Sequence, residues 1–363
     1  MPHSYRYLTC DAISGNVLAW DLPLTGVSYG PELSGPGALQ ATLEPHLAHV
    51  LPSMVDPGNT LIFAERDSKL MWGGLIWRAE PEGGKYPIEA AGFGSYLARR
   101  HDVHGNLNKR GPYTYGDPCK LIRDVWAYCQ EQADGDLGVV VDGTTSKAKI
   151  GIPAEPYAST WWETRTLADL VADAVAADGG PEWTEQVDWV DGKPQRRFRI
   201  GWPRLGTRRM DVSFTSGVNV ASLEPVTYDG DTYAQVVVAL GSGEGRARLR
   251  AIDAVRDGRL RLEEVMDLPA VKGQDQLAAK ARTERIARQI RGDISQVDII
   301  DHPAARFGSF QVGDDVRVQV HDEWTDYEGW ARVTGWSLTP AQGDQQERMT
   351  VSLARADSFI YGG

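Results

Sequence analysis

Cysteine is scarce in this 363-residue chain, which holds only Cys10, Cys119 and Cys129. Three thiols cannot build the disulfide framework of a small secreted domain. Cys119 and Cys129 lie ten apart in a segment of helical spacing, roughly 15 Å along the axis, whereas a bridge needs Cα atoms within about 7 Å. They read as small buried apolar residues. Long hydrophobic runs are missing as well. No stretch approaches the roughly 18 apolar residues of a spanning helix, and Asp11, Asn16 and Asp21 interrupt the region where a cleaved signal needs an apolar segment. Positive charge is in deficit, 38 Lys and Arg against 50 Asp and Glu for a net charge of -12. That surface is a poor match for duplex phosphate, so no specific nucleic-acid binding is expected. A serine nucleophile elbow, a zinc-protease helix motif and a kinase-type loop are all absent.

What is present is a chain with 42% hydrophobic residues, enough for real cores, and a length that predicts two or three domains. From Val17 to about Ala91 the pattern is strands punctuated by Gly and Pro, with a short helical stretch expected near Glu44 to Met54. Residues 92–214 differ. Asp117-Pro118 is an N-cap and N1 pair ahead of Leu121, Ile122, Val125, Trp126 and Cys129 at helical spacing. Thr166 and Asp169 form a capping pattern ahead of the stripe Leu167, Leu170, Val171, Ala174 and Val175, which Gly179 stops. Trp183–Trp189 and Gln195–Trp202 flank Asp191-Gly192 as a hairpin.

Strands return after Val218: Tyr233–Leu240 with apolar residues on both faces, the alternation of Arg246, Arg248 and Arg250 with Ala247, Leu249 and Ala251, and Arg259–Val265. A helix over about Asp275–Arg291 follows. The reading is a mainly β, α+β protein: a first β-unit over 1–91, an α+β insertion over 92–214, and a second β-unit with a flanking helix over 215–363.

Several motifs invite a chemical reading. Gly241-Ser242-Gly243-Glu244-Gly245 resembles a nucleotide loop, but Arg246 stands at the third glycine position and the following alternation is that of a strand, whereas a phosphate loop opens a helix. A hairpin loop is the expectation, and no cofactor is assigned. His101 and His104 offer two ligands where a closed metal site needs about four, and Arg99, Arg100, Lys109 and Arg110 surround them, so no metal is assigned either. Between residues 244 and 291 twelve basic residues stand against eight acidic ones, a local charge of +4. Lys280, Arg285, Arg288 and Arg291 lie off the apolar stripe there, as a solvated face or as a surface for an acidic partner or a neighbouring copy. Twelve Trp is a high count, and Trp161-Trp162-Glu163, Glu323-Trp324, Trp330 and Trp336 put aromatics beside acids or on one strand face. A glycan groove uses such pairs, with carboxyls about 5 to 9 Å apart for hydrolysis; core or interface packing uses them too. No catalytic residue is assigned.

The most informative feature is an echo. Asp56-Pro57-Gly58-Asn59 leads into Thr60–Arg66, a turn at Asp67-Ser68-Lys69, the run Leu70–Ala79, a turn over Pro81–Gly84, and Tyr86–Ala91. Gly313-Asp314-Asp315 leads into Val316–His321, a turn over Asp322–Asp326, the run Tyr327–Thr339, a turn over Pro340–Asp344, and Glu347–Leu353. Gly74 is matched with Gly329. Upstream, Leu33–Leu43 is matched with Tyr228–Leu240, so each unit reads strand, turn, strand, helical element, strand, hairpin, strand.

With these paired units, Phe310–Val316 leading into the last hairpin, and Met349–Leu353 closing it, the chain resembles tail hub proteins of long-tailed bacteriophages, also called minor tail or baseplate hub proteins. Leu22-Pro23-Leu24-Thr25-Gly26-Val27, Ile62–Arg66 and Trp72–Trp77 are similar to hubs of phages that infect actinobacteria. The resemblance implies a non-enzymatic virion protein at the tail tip, assembled in the host cytoplasm. It implies two tube-like β-barrels per chain in a homotrimer, so that three chains present six similar units to a sixfold tube. The implied partners are the tail tube or a distal tail protein, the tape-measure protein and a spike or fibre, with DNA passing through the lumen. A tail-associated glycan-binding or cell-wall-degrading β-module is the alternative, and a secretion or contractile-injection hub shares the same plan.

Overall fold

The computed structural model describes residues 3–44, 50–80, 84–223, 230–231, 233–269, 271–288, 294–321 and 326–356. The chain divides into two compact units, one formed by Met1–Leu223 with Gln296–Leu353, the other centred on Glu224–Ser295.

The larger unit begins with β1 (Tyr5–Asp11), β2 (Val17–Ala19), β3 (Leu24–Glu32), β4 (Gly35–Leu43), β5 (Thr60–Arg66), β6 (Lys69–Ala79) and β7 (Tyr86–Ala91). Every residue of β5 is buried, as in a strand covered on both faces. Leu61 and Phe63 belong to a core cluster shared with Trp126, Trp183 and Phe198 of the middle block. That block contains the helix Pro118–Glu131, β8 (Val139–Val141), the helix Leu167–Ala176, β9 (Glu182–Val190) and β10 (Lys193–Gly201).

Local chemistry starts these elements where the sequence predicts. Asp117 accepts the Cys119 amide at 2.8 Å ahead of Pro118, and Thr166 and Asp169 exchange the two bonds of a capping box. Asp191 and Gly192 both take positive φ, 50° and 73°, which the two-residue turn between right-twisted strands requires.

The chain then adds β11 (Arg208–Thr215) and β12 (Val220–Leu223), crosses to the smaller unit, and returns as β16 (Gln296–Ile299), β17 (Asp315–His321), β18 (Asp326–Thr339) and β19 (Arg348–Arg355). The smaller unit holds β13 (Val236–Leu240) between β14 (Arg250–Ala254), antiparallel to it, and β15 (Glu263–Asp267), parallel to it. The helix Gln274–Ala287 covers one face through Leu277 and Ala281, which cluster with Val237, Ala239 and Ala251.

The large sheet has thirteen strands and runs β12-β16-β19-β18-β3-β4-β7-β6-β5-β1-β2, with β17 beside β18 and β11 beside β17. Two runs of six are concealed in it, β3-β4-β7-β6-β5-β1 and β12-β16-β19-β18-β17-β11. Numbered by their own chain order, both read 2-3-6-5-4-1. They differ at the last strand, since β1 lies antiparallel to β5 but β11 lies parallel to β17.

Several expectations are corrected. The two units were expected as barrels; among the described strands neither closes. The reason is that β18, fourteen residues long, pairs with β17 through Arg332 and then with β3, which joins both units into one open sheet. The counterparts of β3 and β4 are the four-residue strands β12 and β16, whereas Val236–Leu240 belongs to the separate three-stranded sheet. Gly74 stands opposite the third residue of β5 and Gly329 opposite the fourth of β17, so the two glycines occupy different rungs. The Arg246–Ala251 alternation becomes a strand only from Arg250, after a single 3-10 turn over Gly245–Ala247, and the strand expected from Arg259 starts at Glu263. In the Glu44–Met54 stretch the described helical part is one turn, Pro52–Met54, while 45–49 lie outside the described residues. Most of the Asp322–Asp326 turn, with Trp324, most of the Pro81–Gly84 turn, Tyr228 and Arg291 also fall on residues outside the description.

Candidate functional site

The seam between the two β-units is the part of the larger unit that is built most deliberately. In its strand pairing Glu32 stands opposite Gly335 and Tyr29 opposite Leu338, and Leu33 donates its amide to the Thr334 carbonyl at 2.7 Å. Tyr29 is fully buried and meets Trp336 edge-on with ring centroids 6.3 Å apart, while the hydroxyls of Ser28 and Ser337 bond at 2.7 Å. Gly30 makes this approach possible. A Cβ on Gly30 would sit 1.6 Å from the Trp336 carbonyl oxygen, so no other residue fits without separating the strands. A groove of about 470 Å³ runs along this seam, lined by Ser28, Gln40, Gln296, Thr350 and Ser352 with Glu32 as its carboxylate.

A second contact locks the same two units. Arg66, at the end of β5, donates Nε and Nη2 to Glu347 at 2.9 Å each and Nη2 to Asp301 at 2.8 Å, with Phe307 packed against the guanidinium. Arg66 is 8% exposed and both carboxylates 11%, so one guanidinium serves two carboxylates largely away from water, with Arg306 3.9 Å from Asp301 as a second cation. Burial raises the Glu347 carboxyl above its ordinary range, against the pull of His3. His3, Asp301 and Glu347 hold ligand atoms within 4.8 Å of one another, yet Arg66 already occupies the carboxylate oxygens, and the cluster is explained as an ion-pair lock.

The Gly313-Asp314-Asp315 motif acts as an anchor. Asp314 accepts the Thr207 amide at 2.8 Å and the Gln311 amide at 3.0 Å, and Asp315 takes both ends of the Arg204 guanidinium at 2.9 and 2.7 Å. Arg332, mid-strand and wholly buried, pairs with Glu182 of β9 and reaches the Leu205 carbonyl. Sequence reading passed over Arg66, Arg204 and Arg332. The available signal was an arginine inside an otherwise apolar strand, which has to bring its own carboxylate. Glu185 of β9 is a carboxyl of the same kind: half-buried and bonded to the Phe93 and Gly94 amides, it is pushed up to about 8 by burial, which those amides oppose.

Most of the residues that invite a chemical reading have structural partners. Gly241–Gly245 lies in the connection between β13 and β14, not at the start of a long helix. His101 Nδ1 contacts the Arg165 carbonyl at 3.0 Å, Asp102 accepts the Gly105 and Leu107 amides, and His104 Nδ1 bonds Tyr128. Burial lifts the thiols of Cys10, Cys119 and Cys129 to about 11, so all three stay protonated at neutral pH. Arg285 and Arg288 on the last helix are engaged with Asp253, Glu264 and Glu284, which leaves less of that face for an acidic partner. Trp336 is buried at the seam, Trp330 stacks with Arg208 at 4.7 Å, and Trp161 and Trp162 are exposed, 63% and 64%, edge-on to each other.

No protein-family model matches the sequence, and no curated protein matches it. Solved structures share the fold along the whole chain. The 43 kDa tail protein of prophage MuSo2 from Shewanella oneidensis superposes with a TM-score of 0.60 at 13% identity, covering 98% of each chain. A tail protein from Neisseria meningitidis gives 0.55 at 14% identity over 96% of each. A type VI secretion component of Escherichia coli, described as structurally similar to the T4 bacteriophage tail proteins gp27 and gp5, gives 0.50 at 11% identity over all of this chain and 78% of that one. At these identities what is shared is the fold, and that fold is one found in phage tail proteins.

Proposed function

We propose that this chain is a non-enzymatic hub subunit of a phage-type tail, a homotrimer whose three copies present six similar β-units to the end of a sixfold tail tube. The observation that carries this reading is the duplicated 2-3-6-5-4-1 strand order. A threefold assembly meets a sixfold one without mismatch when each subunit offers two equivalent positions. The full-length likeness to phage tail proteins supports a place in the tail. In this reading the two β-units form the tube-like part, and the tape-measure protein and then DNA occupy the lumen. The distal side meets a spike or fibre. The actinobacteriophage affinity rests on Leu22–Val27, Ile62–Arg66 and Trp72–Trp77.

Imaging of particles carrying a tagged copy of the chain tests the placement. Density for the tag in a threefold ring at the tail tip is expected, and particles that lack the chain would defeat the proposal. The exposed Trp161-Trp162 pair beside Glu163 supports a second reading, a glycan-binding tail module. Co-sedimentation with purified host cell wall that disappears in a Trp161→Ala, Trp162→Ala variant would favour it. The likeness to the type VI secretion component extends the hub reading to an injection machine on the same plan.

A further inference from the structure

We propose that the ring closes by strand addition, with β12 of one copy pairing with the edge of β6 that no described strand covers, at Trp77–Ala79, in the next copy. This rests on the trimeric reading above and supplies its joint.

The template for the joint lies within the chain. β3 is the end strand of the first six-stranded run, and its outer edge pairs antiparallel with β18 beyond the point where β17 stops. β12 occupies the same place in the second run, where it pairs with β16; among the described residues its first residue, Val220, also bridges Ser216, and 221–223 have β16 as their one strand neighbour. β6 in turn occupies the place of β18. Its pairing with β5 ends at Leu75, while its pairing with β7 continues to Ala79. Beyond Leu75 the β5 side of β6 therefore stands as the β17 side of β18 does beyond Arg332.

The loops that precede the two hairpins fix the correspondence. Gly58 donates to the Ile76 carbonyl at 2.7 Å, and Gly313 donates to the Val333 carbonyl at 2.8 Å. One residue further on, the Thr334 carbonyl accepts Leu33 from the adjoining unit; the residue one further on from Ile76 is Trp77.

Each chain thus uses one β3-type edge and one β18-type edge internally, and presents the other member of each kind. In the sheet path β12 and β6 of a single chain are separated by β16, β19, β18, β3, β4 and β7. The occupant that fits is a second copy, and a head-to-tail contact of this sort generates a ring when its rotation closes. Side chains suit the approach: Ala221 and Ser222 are small and exposed, and Arg78 points outward at 62% exposure.

Disulfide trapping tests the joint. Ala221→Cys or Ser222→Cys is combined with Arg78→Cys or Ala79→Cys in one chain, since directly opposed strand residues lie within disulfide reach. The native thiols are buried and stay silent. On oxidation at least one combination should give linked dimers and trimers on a non-reducing gel, and each single variant should give neither. If no combination links in material whose scattering mass equals three chains, the joint is wrong and the trimer stands. If the mass equals one chain, both readings fail. Hydrogen exchange on the unmodified protein supplies a check independent of substitution: the amides of 77–79 and 221–223 that do not face β7 or β16 should be protected, and free exchange of those amides would overturn the pairing.

Discussion

Replacing Arg66 with methionine gives the sharpest test of how the two β-units are held together. Methionine keeps most of the side-chain volume and removes the guanidinium that neutralises Glu347 and Asp301. Both carboxylates are 11% exposed, so Glu347 loses its arginine and Asp301 keeps only the more distant Arg306, at 3.9 Å, where water compensates poorly. Breaking a buried pair in this way costs about 3–5 kcal/mol, against about 0–1 kcal/mol for an exposed pair. The cost should also depend on acidity. Without Arg66 the Glu347 carboxyl, already raised by burial, rises further above its unfolded value. A carboxyl with a raised folded pKa favours the fold when protonated, so the deficit of Arg66→Met relative to the parent should shrink as the pH falls through the carboxylate range and be full near neutrality. Urea unfolding of both proteins between pH 4 and 7.5 measures this. A deficit under about 1 kcal/mol at neutral pH, or one that does not change with pH, would refute the claim that this cluster is a desolvated lock.

Three further outcomes are expected. Gly30→Ala should separate the seam strands, because its Cβ would meet the Trp336 carbonyl at 1.6 Å; loss of exchange protection at Leu33 and a stability loss of roughly 2–4 kcal/mol follow, and an unchanged Leu33 amide would contradict the packing. Glu185 has a folded-state pKa of about 8, raised above the unfolded value of 4.5, so its contribution is fully present below about 4.5 and lost as the pH climbs through 8. The slope is at most about 1.4 kcal/mol per pH unit, and Glu185→Gln should flatten it; an equal slope in both proteins would count against the buried carboxyl. Asp117→Ala removes the cap of the Pro118–Glu131 helix and should cost about 1 kcal/mol by urea unfolding, with no loss meaning that the Cys119 amide finds another acceptor.

What the sequence disclosed and what it withheld have separable physical causes. Local signals were legible because their chemistry is local: the Asp117-Pro118 start, the Thr166/Asp169 box and the Asp191-Gly192 turn each involve residues within a few positions, and each forms as expected. The echo of the two hairpins was legible because turn spacing repeats. Its upstream continuation went to Tyr228–Leu240 because a Val-rich strand is conspicuous, whereas Val220–Leu223 and Gln296–Ile299 are too short to show a period. Alternation identifies a strand but not its neighbour, so nothing in the sequence of β18 announced that its last residues leave β17 and pair with β3. The seam itself depends on Gly30, an ordinary strand glycine until Trp336 is brought against it. Arg66, Arg204 and Arg332 carry no local sign of pairing because their partners, Glu347, Asp315 and Glu182, are more than a hundred residues away in the chain.

The central claim is that one chain supplies two equivalent positions in a threefold ring. The mass of the purified chain in solution by light scattering, measured over a range of concentrations, tests it most directly. The account predicts a species of three 39.9 kDa chains that persists on dilution; a stable monomer at every concentration would contradict it.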